Sequence, residues 1–295
     1  KEKLNVDMYA LNDRVNDLYF GILLLDEQIK QNTLLQDELE RNYRQITAYV
    51  ENGIANQADL DAVKVEQLNT KQKRIDLVSS RAAYLKMLSL LVGEALSPET
   101  VLEKPVPQST VSAVSEIRRP ELALFDAQGA GLQVQEKALN VRHLPQFGLF
   151  VQGAYGNPGL DMLKNEFSPY YMAGVRLSWN FGSLYTLKND RRVIEKKRQQ
   201  LDNNRDIFLF NTRLEMTQQD QAIHSLEKQM RDDDEIIRLR TNIRKAAEAK
   251  VANGTLTVTE MLRELTNESL ARQSKAMHEI QRLMGIYQLK YTTNH

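Results

Sequence analysis

No cysteine occurs among the 295 residues, which excludes a disulfide framework, a thiolate nucleophile and Cys-ligated zinc. That absence suits an exported protein but does not by itself assign a compartment. Glycine and proline are scarce as well, at 13 and 7, so the elements must be few and long. All seven prolines lie between Pro98 and Pro169, and the rest of the chain carries no obligatory helix breaker. Charge of one sign is missing too: 39 basic residues balance 39 acidic ones, which removes the footprint of a nucleic-acid binder. Apolar runs such as Ile22 to Leu25 fall far short of the roughly 20 residues a membrane-spanning helix needs. Position 1 opens inside a helical pattern with no basic or apolar leader, so any export signal is expected to have been removed already.

What the chain does contain is a repeat. Leu25-Asp26-Glu27-Gln28-Ile29-Lys30 recurs as Leu226-Glu227-Lys228-Gln229-Met230-Arg231, an offset of 201 residues. The same offset superposes Asn52-Gly53 on Asn253-Gly254, Asp59-Leu60 on Glu260-Met261, and Arg81 on Arg282. In the first copy Leu4, Met8, Leu11, Val15, Leu18, Ile22, Leu25 and Ile29 step by fours and threes, a heptad seam that resumes at Leu39, Tyr43, Ile46 and Val50. One helix of roughly 75 Å is therefore expected from about residue 4 to Asn52, capped at Gly53. A return helix carrying Ile75, Val78, Ala82, Leu85 and Val92 should end at Gly93. The second copy repeats the pattern with Met216, Ile223, Leu226, Met230 and Ile237, then with Met277, Ile280, Met284, Tyr287 and Tyr291. Asn32, Gln36, Asp233 and Arg240 interrupt the seams, where polar residues specify register or face water.

Between the copies the period changes from helical to alternating. Phe147, Leu149, Val151 and Tyr155 share one parity, and Val175, Leu177, Trp179 and Phe181 share another run, each about 10 residues long as in a membrane β-hairpin. The same composition also fits a soluble hairpin capping the helices. The expected order is a first helical hairpin over 1–93 (tip 51–60), a linker over 94–119, a short helix over 120–144, a β-hairpin over 145–182 and a second helical hairpin over 183–295 (tip 252–262). The fold class is thus mainly α, two repeated long antiparallel coiled-coil hairpins plus one β-hairpin.

Catalytic chemistry finds no support. His143, His224, His278 and His295 form no metal-ligand pair or triad and are expected to be surface or interface histidines. Gly129-Ala130-Gly131 sits within a helical pattern and is no dinucleotide loop. The run Asp232 to Glu235 is read as a solvated helix face. No enzyme activity, cofactor, metal or nucleic acid is expected.

Gly53-Ile-Ala-Asn-Gln-Ala-Asp59-Leu60 and Gly254-Thr-Leu-Thr-Val-Thr-Glu260-Met261-Leu262, taken with Arg119-Pro120-Glu121-Leu122 and His143-Leu144-Pro145, resemble the TolC-type outer-membrane efflux channel family. The resemblance covers nearly the whole chain. Two departures stand out: Trp179-Asn180-Phe181-Gly182 replaces the family's proline near the end of the second strand, and the first copy lacks the strands and opening helix of the second, as in a fragment. Two strands alone do not close a family-type barrel.

The resemblance implies a passive conduit of tripartite efflux or type I secretion, in the outer membrane and periplasm of a Gram-negative bacterium. It implies a homotrimer when complete, whose α-barrel and β-barrel are opened by a periplasmic adaptor (membrane fusion protein) coupled to an inner-membrane pump. Asn52, Gly53, Ile54, Ala55, Asp59, Asn253, Gly254, Thr255, Leu256 and Thr257 would be the adaptor-contacting tips. Glu260 would line the aperture, with Arg263 close enough on a helix to pair with it. Phe147, Leu149, Val151, Val175, Leu177, Trp179 and Phe181 would face outer-membrane lipid. The alternative is a soluble coiled-coil scaffold or interaction protein with a β-hairpin cap.

Overall fold

The computed structural model describes residues 1–106, 115–163 and 165–294; part of the expected linker, and His295, lie outside them. The order is α1 (Glu2–Glu51), α2 (Gln57–Val92), α3 (Pro120–Arg142), β1 (Gln146–Gly156), β2 (Ser168–Ser178), α4 (Gly182–Ala252) and α5 (Val258–Thr293). The mainly-α class with two helical hairpins and one β-hairpin agrees with the sequence reading. Two compact units result: Lys1–Pro120 with Leu209–His295, and Glu121–Phe208.

In the first unit the buried residues differ from the expected single seam. Leu4 and Met8 are exposed, while α1 buries two stripes: Leu18 and Ile22 pack with Leu85 and Leu88 of α2, and Phe20 and Leu23 pack with Ile280 of α5. One helix flanked by two neighbours needs two apolar faces, and a heptad count detects only the more regular one. On α2 the difference is sharper. Val63, Thr70, Leu77, Leu85 and Leu88 are buried, whereas Ile75, Val78 and Val92, all assigned to the seam, are exposed. Of the expected seam on α2 Leu85 alone is buried, because the helix carries a second apolar stripe with the same spacing.

The 201-residue repeat extends to polar detail. Arg81 binds Asp26 across α1 and α2, and Arg282 binds Glu227 at 2.9 Å at the equivalent positions of α4 and α5. Asn32 and Asp233 are likewise equivalent and both buried. Asn32 donates to the Thr70 carbonyl at 3.1 Å, and Asp233 meets His278 Nδ1 at 2.9 Å. His278 thus lies at the interface of α4 and α5, as a surface or interface histidine would, whereas His143 is buried. His224 is exposed beside Asp220. Gly93 and Asn294, another equivalent pair, end their helices in the left-handed conformation, with φ of 76° and 59°. The segment after Gly93 is strapped down: Leu96 and Leu102 pack on the α1–α2 cluster, and Arg81 donates to the carbonyls of Pro98 and Thr100.

In the second unit α3 lies along the first part of α4. Phe125 meets Phe208, and Arg205–Asp126 (3.0 Å) and Arg198–Glu136 (2.9 Å) are exposed ion pairs between the two helices. Such pairs contribute at most about 1 kcal/mol each. β1 and β2 pair antiparallel in register, Gln146 opposite Ser178 through Gly156 opposite Ser168.

Candidate functional site

Both tips are built by the same local chemistry. At the end of α1, Gly53 (φ 74°) donates to the Val50 carbonyl and Ile54 to that of Tyr49; at the end of α4, Gly254 (φ 68°) donates to Val251 and Thr255 to Lys250. These are paired i−3 and i−5 bonds that satisfy the last helical carbonyls and require a left-handed residue, hence Gly. Each following helix opens with a capping box. The Asn56 side chain accepts from the Asp59 N–H while Asp59 accepts from the Asn56 N–H, both at 3.0 Å. Thr257 and Glu260 do the same at 3.2 Å. Asp59 and Glu260, one expected to touch a partner and the other to line an aperture, therefore each cap their own helix.

The two tips lie at one end of the unit. Val63, Val251, Val258, Met261, Leu262 and Leu265 join Leu39, Ile46 and Ala247 in one cluster, with Ala55 and Leu256 packed against it. Outside this cluster Asn52, Gly53, Ile54, Asn253, Gly254, Thr255 and Thr257 are exposed. Among the exposed tip residues, Ile54 is an aliphatic side chain where the second copy has the polar Thr255.

Glu260 and Arg263 are not the ion pair expected from their spacing. The Thr257 hydroxyl and N–H hold the Glu260 carboxyl below its ordinary range, with a smaller contribution from the Arg263 charge. Arg263 makes its salt bridge to Glu264 at 3.5 Å. Two to three turns further along α5 is a network that sequence inspection missed. Glu268, with 4% side-chain exposure, accepts from Thr241 at 2.7 Å, from Arg272 at 2.6 Å and from Arg244. Arg244 also binds Glu248 and reaches Glu38 of α1 at 3.1 Å. Its members are spread over three helices, so no local motif announces it; a search for charged residues at buried heptad positions would have found Glu268.

Burial alone would raise the Glu268 pKa, but donors from Arg272, Thr241 and Arg244 outweigh it and the carboxyl titrates below its ordinary 4.5. The folded state therefore binds fewer protons here than the unfolded chain, so this contribution is complete above pH 4.5 and is lost as pH falls through the depressed value. Glu268→Gln is expected to lower stability at neutral pH and to flatten the acid limb of an unfolding-versus-pH curve followed by circular dichroism.

On the β-hairpin, register sorts the side chains by face. Phe147 opposes Leu177, Leu149 opposes Val175, Val151 opposes Ala173, Gly153 opposes Tyr171 and Tyr155 opposes Pro169. That face has no charged or amide side chain, and its large residues are mostly exposed, from 58% for Leu177 to 86% for Leu149. The opposite face mixes Gln146, Gln152, Arg176 and Ser178 with Phe150, Tyr170 and Met172. Trp179 and Phe181 lie beyond the last residue of β2, which corrects their assignment to the strand. Their rings pack at 4.3 Å, and the indole N–H donates to the His143 carbonyl.

Among the described residues no cluster of His, Cys, Asp or Glu is arranged to hold a metal ion, and no helix is long and apolar enough to cross a membrane. No protein-family model and no curated protein matches the chain. Solved structures do match. The outer membrane protein VceC of Vibrio cholerae superposes with a TM-score of 0.79 over 100% of this chain and 71% of its own, at 11% identity. CusC superposes at 0.79 over 99% and 70%, with 16% identity. The open-state MtrE outer membrane channel of Neisseria gonorrhoeae does so at 0.73 over 99% and 67%, with 12% identity. The chain thus spans about two thirds of the length of these proteins, and its fold is that of the TolC-type outer-membrane channels.

Proposed function

We propose that the chain is the channel-forming part of an outer-membrane efflux or secretion assembly, a passive conduit that opens when a periplasmic adaptor engages the tips Asn52–Ala55 and Asn253–Thr257. The observation that carries this reading is the apolar, exposed face of the β-hairpin. A soluble cap bears a penalty for such a face in water, while a bilayer takes it as its natural solvent. Further apolar stripes on α2 (Leu68, Ile75, Val78) and α4 (Ile236, Leu239, Ile243) are exposed and supply surface for packing against other copies in a homotrimer. The energy for transport would come from an inner-membrane pump coupled through the adaptor.

At the second tip, Glu260 is the acidic residue proposed for the aperture, where symmetry-related carboxylates favour cations. Arg263 offsets that charge one turn away. In planar-bilayer recordings of the assembled channel, Arg263→Asp is expected to raise cation selectivity and divalent-ion block, and Glu260→Gln to lower both. Unchanged selectivity in both variants would remove these side chains from the constriction.

A further inference from the structure

The chain contains two Asn-Gly dipeptides, and each stands at a tip: Asn52-Gly53 after α1 and Asn253-Gly254 after α4. Asparagine before glycine is open to attack from within the chain, because glycine puts no side chain beside its backbone nitrogen, the nucleophile, and tolerates the dihedral changes that bring this nitrogen to the asparagine Cγ. Both dipeptides are exposed, so water reaches them. The turns also treat the two nucleophiles alike. The Gly53 N–H donates to the Val50 carbonyl at 3.1 Å and the Gly254 N–H to that of Val251 at 2.9 Å, with φ of 74° and 68°.

The asparagine side chains are not alike. Asn52 Nδ2 donates to the Ala48 carbonyl at 2.6 Å, one turn back along α1. That bond fixes the amide toward the preceding turn, so Cγ meets the Gly53 nitrogen only after the bond breaks. The Asn253 amide has no partner among the described residues, and no contact selects one of its rotamers. One net hydrogen bond shifts such a rotamer population by about fivefold.

We infer that Asn253 is a site of spontaneous succinimide formation, and that Asn52, in the same dipeptide and the same turn, is its protected counterpart. The Gly254 nitrogen attacks Asn253 Cγ and gives its proton to solvent base; the Cγ–Nδ2 bond breaks, and Nδ2 leaves as ammonia after taking a proton from water. A second water then opens the cyclic imide at one of its two carbonyls, which yields aspartate or isoaspartate. Either product places a carboxylate at the C-terminal end of α4, where the helix carbonyls already concentrate negative charge. Isoaspartate also adds a methylene to the backbone, which disrupts the spacing of the Gly254–Val251 and Thr255–Lys250 bonds that shape this tip. The tip at 252–257 thus changes with the age of the molecule faster than the tip at 52–55, whether or not an adaptor engages either.

The full chain, incubated in detergent in warm, mildly alkaline buffer and digested at intervals, is expected to show the amide-to-acid mass increase in the peptide holding Asn253 about fivefold or more faster than in the peptide holding Asn52. In the chain unfolded by urea the two rates should converge, since only the folded turn distinguishes the sites. Asn253→Gln should remove most of the isoaspartate detected by isoaspartyl methyltransferase labelling and leave the slow share of Asn52. Equal rates in the folded chain, or faster conversion at Asn52, overturn the inference. So does an Asn253 that stays intact in the folded chain while the unfolded chain converts fully. A difference that persists unchanged in urea overturns it as well, because its cause would then be the neighbouring sequence and not the bond to Ala48.

Discussion

Leu265→Ala is expected to lower stability by about 3 to 5 kcal/mol, because a fully enclosed leucine leaves a cavity that packed helices cannot collapse around. Leu265 is 2% exposed and belongs to the cluster that joins Ile46 of α1, Val63 of α2, Ala247 of α4 and Met261 of α5. Among the described residues no other apolar cluster of buried residues holds all four of these helices, so the loss falls on the association of the two tips rather than on either hairpin alone. Thermal unfolding by circular dichroism should show a midpoint drop on the order of 10 °C. Leu270→Ala serves as the control: Leu270 is 54% exposed on the same helix and should change stability by about 0.5 kcal/mol or less. Equal effects of the two substitutions would mean that the tip cluster does not hold the hairpins together.

Val151→Arg is expected to oppose membrane insertion by about 2 to 4 kcal/mol, the cost of a cation on the lipid face near the bilayer midplane. Val151 sits at the centre of β1, opposite Ala173, on the face without charge. Its neighbour Gln152, opposite Met172, points to the other face, where the same change to arginine should cost little. Flotation with liposomes, or folding into them in a urea titration, should therefore separate Val151→Arg from Gln152→Arg by a factor of roughly thirty or more in equilibrium constant. A soluble cap predicts the reverse ordering, since an added charge on an exposed apolar face only improves solubility. Equal behaviour of the two variants, or full solubility of the unaltered chain without detergent, would remove the membrane reading.

The legibility of these features in the sequence follows their range. Both Asn-Gly turns, the helix stop at Gly93 and the strand alternation through Val151 and Val175 are local, decided by steric freedom at one residue or by the period of a few. The offset between copies was equally readable, and applying it to charges identifies Asp26–Arg81 and Glu227–Arg282 as equivalent pairs. What misled was periodicity on helices with more than one neighbour. Ile75 and Val78 keep the spacing of a seam yet face outward, while Thr70, a polar residue that no apolar count selects, is buried against Asn32. Arg263 also kept the spacing to pair with Glu260, but the capping box had already claimed that carboxylate.

The sequence alone therefore determined the element types, their lengths, the tips and the twofold repetition, because each depends on dihedral preference and hydrophobic period within one segment. Tertiary structure alone decided which stripe of each helix is interior, how Glu268 collects donors from two helices, and which apolar residues of α1 and α5 meet in one cluster. Those outcomes depend on the simultaneous fit of three or four helices. A side chain's burial is then set by neighbours some 200 residues away, and a one-dimensional period carries no information about which of two similar faces meets them.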